Sequence, residues 1–386
     1  MGSATQALRP APFLSWREAR WPRANWARWA LRLAIATPYA ALADLANHEE
    51  GPSAGNQALH AQAYSLHWLS AQFGWLVHAS PPLTLAVGRL FPGGPGGLAI
   101  AGALCAGVLA QQSIERLILR SMSTAESSLL VSAVVLTPAF AFLSVGSFGA
   151  FLTLCLLSAA LTGLLDFTFN RATQSGFIAG IGFGLASLCQ LAAVPFAVAG
   201  SLLVLIGVPG TKGKGELARG RAAAVIVAFP TVAAIAGWAF LEWRFTGNWT
   251  KSFRLADPAL LHFGAGVWSS LAAAVDSVAH DLLFAPVLVA AGVILLSRRP
   301  RSLLAGLAFM ACIVVDLWVG ATLSTPTVVV LLGVVGLVLV PEELSVTERA
   351  VLWLCAALQL MIAFLCLHFG LYQVASWLHG LIGFPG

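Results

Sequence analysis

The sequence predicts an all-α polytopic membrane protein with about eleven transmembrane helices, within a range of about nine to thirteen, and an external loop carrying short interfacial helices. Three observations predict it. Of the 386 residues, 59% are hydrophobic and only 10% are charged, with a mean hydropathy of +0.85. Soluble domains are typically about a quarter charged, so this chain has too few charges to cover a water-facing surface. Apolar runs recur from end to end, and the short alternating segments of a membrane β-barrel are absent. The basic residues also fall mostly into alternate connections, as the positive-inside rule requires.

Residues 1–28 form a basic cytosolic N-terminus with Arg9, Arg17, Arg20, Arg23 and Arg28. No clear small-residue cleavage site follows, so this segment is expected to be a signal anchor. Residues 29–386 form a single transmembrane domain. Its candidate spans are 29–44, 97–114, 128–143, 149–165, 176–191, 194–208, 222–240, 282–296, 303–319, 328–340 and 350–367. With the N-terminus inside, all of the 21 Lys and Arg residues except Arg89, Arg244, Lys251 and Arg254 are cytosolic. All eight histidines fall outside: His48, His60, His67, His78, His262, His280, His368 and His379. A pI near 9.1 therefore reflects topology, and no nucleic-acid partner is expected. The six cysteines lie in or beside apolar segments with no CxxC, so free thiols are expected rather than a zinc site or a disulfide framework.

Two long external loops result, 45–96 and 241–281, and the chemistry is expected there. Asp44 closes the first span at the membrane boundary, with Glu49 and Glu50 shortly after. A carboxylate in that position can take a proton from an attacking hydroxyl, and partial burial would make it a better base. Asp44 and His48 have i,i+4 spacing and are the candidate metal pair, for Mg²⁺ or Mn²⁺. His60 and His67 lie two turns apart, about 10 Å along a helix, too far to share one ion. Pro81 and Pro82 are expected to start a short interfacial helix bearing Arg89, which Pro92 and two glycines stop.

In the second loop Arg244, Lys251 and Arg254 defy the inside bias; with Arg89 they are the candidate phosphate-binding cations. The plainer role for such cations is contact with anionic lipid headgroups. Asn248 opens an NWT sequon. Asp316 lies inside a span, where an acid is costly and usually faces a cavity or a partner.

The order of these parts resembles the GT-C superfamily of polyprenyl-phosphate-dependent membrane glycosyltransferases, over about residues 25 to 260. SPPLTLAVGRLFP is similar to the juxtamembrane helix of its mannosyl- and aminoarabinose-transferase branches. LTPAFAFLSVGSFGAFLTLCLLSAAL resembles the third and fourth spans, and GFIAGIGFGLASLCQLAAVPFAVAG the fifth and sixth. EWRFTGNWTKSF resembles an NW…TGDP…F segment of bacterial members, with TGNWTK replacing the acid of TGDP.

The resemblance implies a GT-C-like fold in a bacterial inner membrane. It implies an enzyme that transfers a sugar from a polyprenyl-phosphate donor to a lipid or glycan acceptor at the outer face. Asp44, or else Glu49 or Glu50, would be the base, and Arg244, Lys251 and Arg254 would hold the lipid phosphate. Two rivals stand beside it: a transporter or flippase for a lipid-linked or anionic solute with Asp316 in its pathway, and a non-catalytic scaffold with protein partners in a glycan-assembly complex.

Overall fold

The computed structural model describes residues 21–49, 51–66, 81–170, 173–207, 216–249, 266–298, 300–319 and 323–382. Among them every regular element is helical. α1 (Asn25–Glu49) is followed by the short α2 (Ala54–Ser65) and α3 (Pro82–Leu90), and α4 (Gly94–Leu119) runs back beside α1. Next come α5 (Thr124–Val135), α6 (Pro138–Gly146), α7 (Phe148–Asn170), α8 (Thr173–Cys189), α9 (Val194–Gly207) and α10 (Glu216–Thr246). The rest are α11 (Gly266–Asp281), α12 (Pro286–Arg298), α13 (Pro300–Trp318), α14 (Thr325–Leu339), α15 (Val346–Leu365), α16 (Leu367–Gly370) and α17 (Tyr372–Ile382).

By length and composition α4, α7, α10 and α15 can each cross a membrane. The bent pairs α5/α6, at 67°, and α11/α12, at 98°, raise the number to six if each pair is one span. α8, α9, α13 and α14 are apolar but shorter. The 17 residues of α8 rise about 26 Å, short of a hydrocarbon core of about 30 Å. α1 has 25 residues, but Arg28, Arg32, Asp44 and Glu49 interrupt its apolar character. These apolar helices suggest a membrane-embedded protein, with four to six spans by length and composition against about eleven expected.

The bend between α5 and α6 has a local cause. The Thr137 hydroxyl accepts from the Phe140 N–H and Pro138 fills the first position of α6, so one helix stops and another starts. A capping box between Ser123 and Glu126 begins α5.

Packing places α14 at the centre. It is apolar on all sides, every residue from Pro326 to Leu339 is buried, and it touches α5, α6, α7, α11, α12 and α13. α10 and α15 are peripheral: only 11% and 22% of their apolar windows are buried, against 61% and 67% for α4 and α7. The exposed Phe229, Val232, Phe240, Leu354 and Phe364 suit lipid rather than water. Small residues let α4 come close to its neighbours. A Cβ at Gly102 would lie 1.8 Å from the Ser144 carbonyl oxygen, and one at Gly107 would lie 2.1 Å from that of Arg32.

The bundle has two unlike ends. At one, Arg116 pairs with Asp166, Arg349 with Glu126 at 3.2 Å and Arg298 with Glu348 at 2.6 Å. Arg120 donates to the carbonyls of Val338 and Val340 at 2.6 and 2.7 Å. These bonds join α4 to α7 and α14, α5 to α15, and α12 to α15. Arg89 and Arg244 stand toward the opposite end, with α2, α3 and the α6–α7 junction. The six cysteines are free thiols.

Candidate functional site

At the end away from the ion pairs, α1 does not stop at Asp44. It continues to Glu49, and the chain turns at Gly51 (φ +77°), with Pro52 behind it. The sequence ADLANHE contains no helix breaker, so polarity alone did not end the helix. Asp44 is therefore a helical residue, and its carboxylate lies 3.6 Å from His48 Nε2 one turn on. Both side chains are more than three-quarters exposed, at 78% and 77%. Glu49 is also exposed, about 140° around the helix from Asp44. Glu50 lies outside the described residues.

The Asp44–His48 pair offers two ligands, and Mg²⁺ or Mn²⁺ would need the rest from water or a substrate phosphate. Among the described residues no group of three His, Cys, Asp or Glu side chains could hold a metal ion.

α2 is fastened to the break between α6 and α7. Ser53 Oγ donates to the Gly146 carbonyl at 2.8 Å. Asn56 Nδ2 donates to the Val145 carbonyl at 2.8 Å, and Asn56 Oδ1 accepts from the Phe148 N–H at 3.0 Å. Asn56 is 1% exposed, so its side chain satisfies backbone groups that the helix ends leave orphaned. Sequence reasoning did not single out Asn56. Its one local signal is its place three residues after the N-cap Ser53, behind Pro52.

α3 starts and stops where its prolines predict, with Pro82 in its first turn and Phe91 as its C-cap. Thr84 Oγ1 donates to the Cys189 carbonyl at 3.2 Å and ties α3 to the end of α8. Leu85 packs with Ala63 and Leu66 from the α2 segment, and Trp238 of α10 rests against this cluster. Arg89 is exposed, with its guanidinium 4.1 Å from the centre of the Tyr64 ring; the His60 ring stacks on Tyr64 at 4.2 Å.

On α10, Val227, Thr231, Trp238 and Glu242 follow the inward face. Glu242 is fully buried and accepts a 3.0 Å hydrogen bond from Trp238 Nε1. Sequence reasoning passed over this acid because the cations that follow it in EWRFTGNWTKSF are the conspicuous residues there. Arg244 stands about 200° around the helix from Glu242, on the exposed side between Trp243 and Phe245. A cation among exposed aromatics at a helix end suits the membrane–water interface. Lys251 and Arg254 lie outside the described residues.

The structure thus brings Asp44, Arg89 and Arg244 to one end of the bundle but on different supports. α1 packs on α4, α6 and α17, whereas α10 packs on α8 and α9. The α2–α3 segment links the two sides, from the Asn56 attachment to Trp238. A small pocket lies elsewhere, between α7, α9 and α14, lined by Thr153, Gln190, Phe196 and Thr327 among others; among the described residues none of the candidates lines it. No known family matches the chain, and neither a characterised protein nor a solved structure matches it.

Proposed function

We propose that this protein is a GT-C-like membrane glycosyltransferase. It moves a sugar from a polyprenyl-phosphate donor to a lipid or glycan acceptor at the outer face of a bacterial inner membrane. One observation carries the reading: the end of α1 with Asp44 and the end of α10 with Arg244 lie at the same end of the bundle, joined by the packed α2–α3 segment. A base on the first side would deprotonate the acceptor hydroxyl. Cations on the second, Arg244 with Lys251 and Arg254, and Arg89 on α3 between them, would hold the departing lipid phosphate. The exposed aromatics of α10 provide a surface along which a polyprenyl chain can approach from the bilayer. Mg²⁺ or Mn²⁺, if used, would sit at Asp44 and His48 with the donor phosphate.

The test uses the full chain in liposomes with polyprenyl-phosphate-linked radiolabelled sugars. Asp44, Glu49 and Glu50 are replaced singly by Ala. At least one variant should lose transfer while keeping its fold. Undiminished transfer by all three would overturn the base assignment. Wild-type protein that transfers nothing, yet co-purifies with glycan-assembly proteins, would instead be the non-catalytic member of such a complex.

A further inference from the structure

Asp316 takes no part in the transfer chemistry proposed above, yet its surroundings demand an explanation. It lies near the end of α13, on the face formed by Phe309, Cys312 and Ile313, and is 3% exposed. Phe309, two turns away on that face, packs against Phe196 of α9 at 6.4 Å between ring centres. The Oδ2 atom of Asp316 is shielded from solvent and, among the described residues, has no hydrogen-bond partner.

Among the described residues, the helices packed most on α13 are α9, α11, α12 and α14. α9 and α14 contain no titratable residue. α11 contributes Asp276 and His280, both exposed, and the buried Asp281. The Arg298 of α12 is engaged with Glu348 at the far end of the bundle. On α13 itself, Cys312 is one turn away, and Arg301 lies four turns back in its first turn. A lone carboxylate in such a setting is neutralised by a cation or by a proton. No cluster of ligating groups for a metal ion is present among the described residues.

We propose that Asp316 is a proton-binding site, a carboxyl held as the neutral acid inside the bundle. α13 starts at Pro300 beside the ion-paired end, so Asp316 lies toward the opposite end, and its proton exchanges from there. Ionisation would draw the end of α13 toward water and strain the 3.2 Å hydrogen bond from Trp318 Nε1 to Ser270 Oγ that ties α13 to α11. The ligand is a proton, and the element it controls is the α11–α13 contact.

Dicyclohexylcarbodiimide tests this on the intact protein in nanodiscs. The carboxyl proton moves to a carbodiimide nitrogen as the carboxyl oxygen adds to the central carbon, and the O-acylisourea rearranges to a stable N-acylurea. Mass spectrometry should find one adduct on the α13 peptide. Labelling should decline as pH rises and vanish in Asp316→Asn. An α13 peptide that stays unlabelled at every pH would overturn the proposal. So would labelling that is blocked by Na⁺ but insensitive to pH, which would make Asp316 a metal-cation site. As a second measurement, Asp316→Asn should unfold at a temperature no lower than wild type at neutral pH. A large drop would mean that the charge has a partner, and would count against the proposal.

Discussion

Asn56 of α2 and Phe148 of α7 share a 3.0 Å hydrogen bond across 92 residues of sequence, and the same Asn56 side chain donates to Val145 on the other side of the α6–α7 break. One amide therefore closes a gap in the backbone hydrogen bonding of two helices and fixes α2 to the bundle. Asn56→Ala should cost about 2–6 kcal/mol, since it leaves a buried donor and a buried acceptor unpaired at about 1–3 kcal/mol each. Asn56→Asp should also destabilise, because it keeps the acceptor but loses the donor. Thermal unfolding in detergent gives the size, and faster proteolysis between Gly51 and Leu66 would show that α2 is what comes loose. Unchanged proteolysis there would refute the fastening role.

Gly102 gives a second prediction. A Cβ there would sit 1.8 Å from a backbone oxygen of α6, so α4 and α6 must separate to admit it. Gly102→Ala should destabilise by about 1–3 kcal/mol or more, as overpacking does. Among the described residues, a Cβ at Gly237 on α10 would meet nothing within 4 Å. Gly237→Ala should therefore be neutral or stabilising by up to about 1 kcal/mol through helix propensity. Unfolding temperatures of the two variants, measured side by side, decide it.

The ion-paired end should be only weakly coupled. Arg349 and Glu126 are 32% and 10% exposed and 3.2 Å apart, which places the pair between surface and interior. A double-mutant cycle with Arg349→Ala and Glu126→Ala should give a coupling of about 0.5–1 kcal/mol, smaller at high salt. Glu126→Ala alone should cost more than this coupling, because it also removes the capping box of α5. A coupling of several kcal/mol would show that this end behaves as a buried charge network.

For the proposed transfer reaction, Arg89→Ala should raise KM for the polyprenyl-phosphate donor about tenfold or more, the loss of one charge-assisted contact. Its effect on kcat should be smaller. Tyr64→Leu, which removes only the ring under the guanidinium, should have the milder effect on KM. Equal KM for wild type and Arg89→Ala would remove Arg89 from the phosphate site.

Much of the helical layout was legible in local chemistry. Pro81, Pro82 and Pro92 bounded α3 because proline acts on its own neighbours and needs no tertiary context. The helical end of α1, five residues past the expected span, was less legible for the opposite reason. Asp44 looked like a boundary because it is charged, yet the helix ran on to the Gly51–Pro52 stop, where backbone geometry changes. The bend at Thr137–Pro138 was hidden inside an apolar run that reads as one span. At the site, Asn56 and Glu242 escaped notice because what distinguishes them is long-range packing. Asn56 acts on backbone groups about ninety residues away, and Glu242 is conspicuous only once α10 is known to turn it inward.

The complete enclosure of α14 bears on how this protein should respond to its bilayer. Fifteen residues rise about 22 Å, well short of the hydrocarbon thickness, and a lipid-facing helix of that length would force the membrane to thin. Here neighbouring side chains, not acyl tails, surround it. Thicker or thinner lipids should therefore tilt the outlying α10 and α15 while leaving the middle of the protein undisturbed.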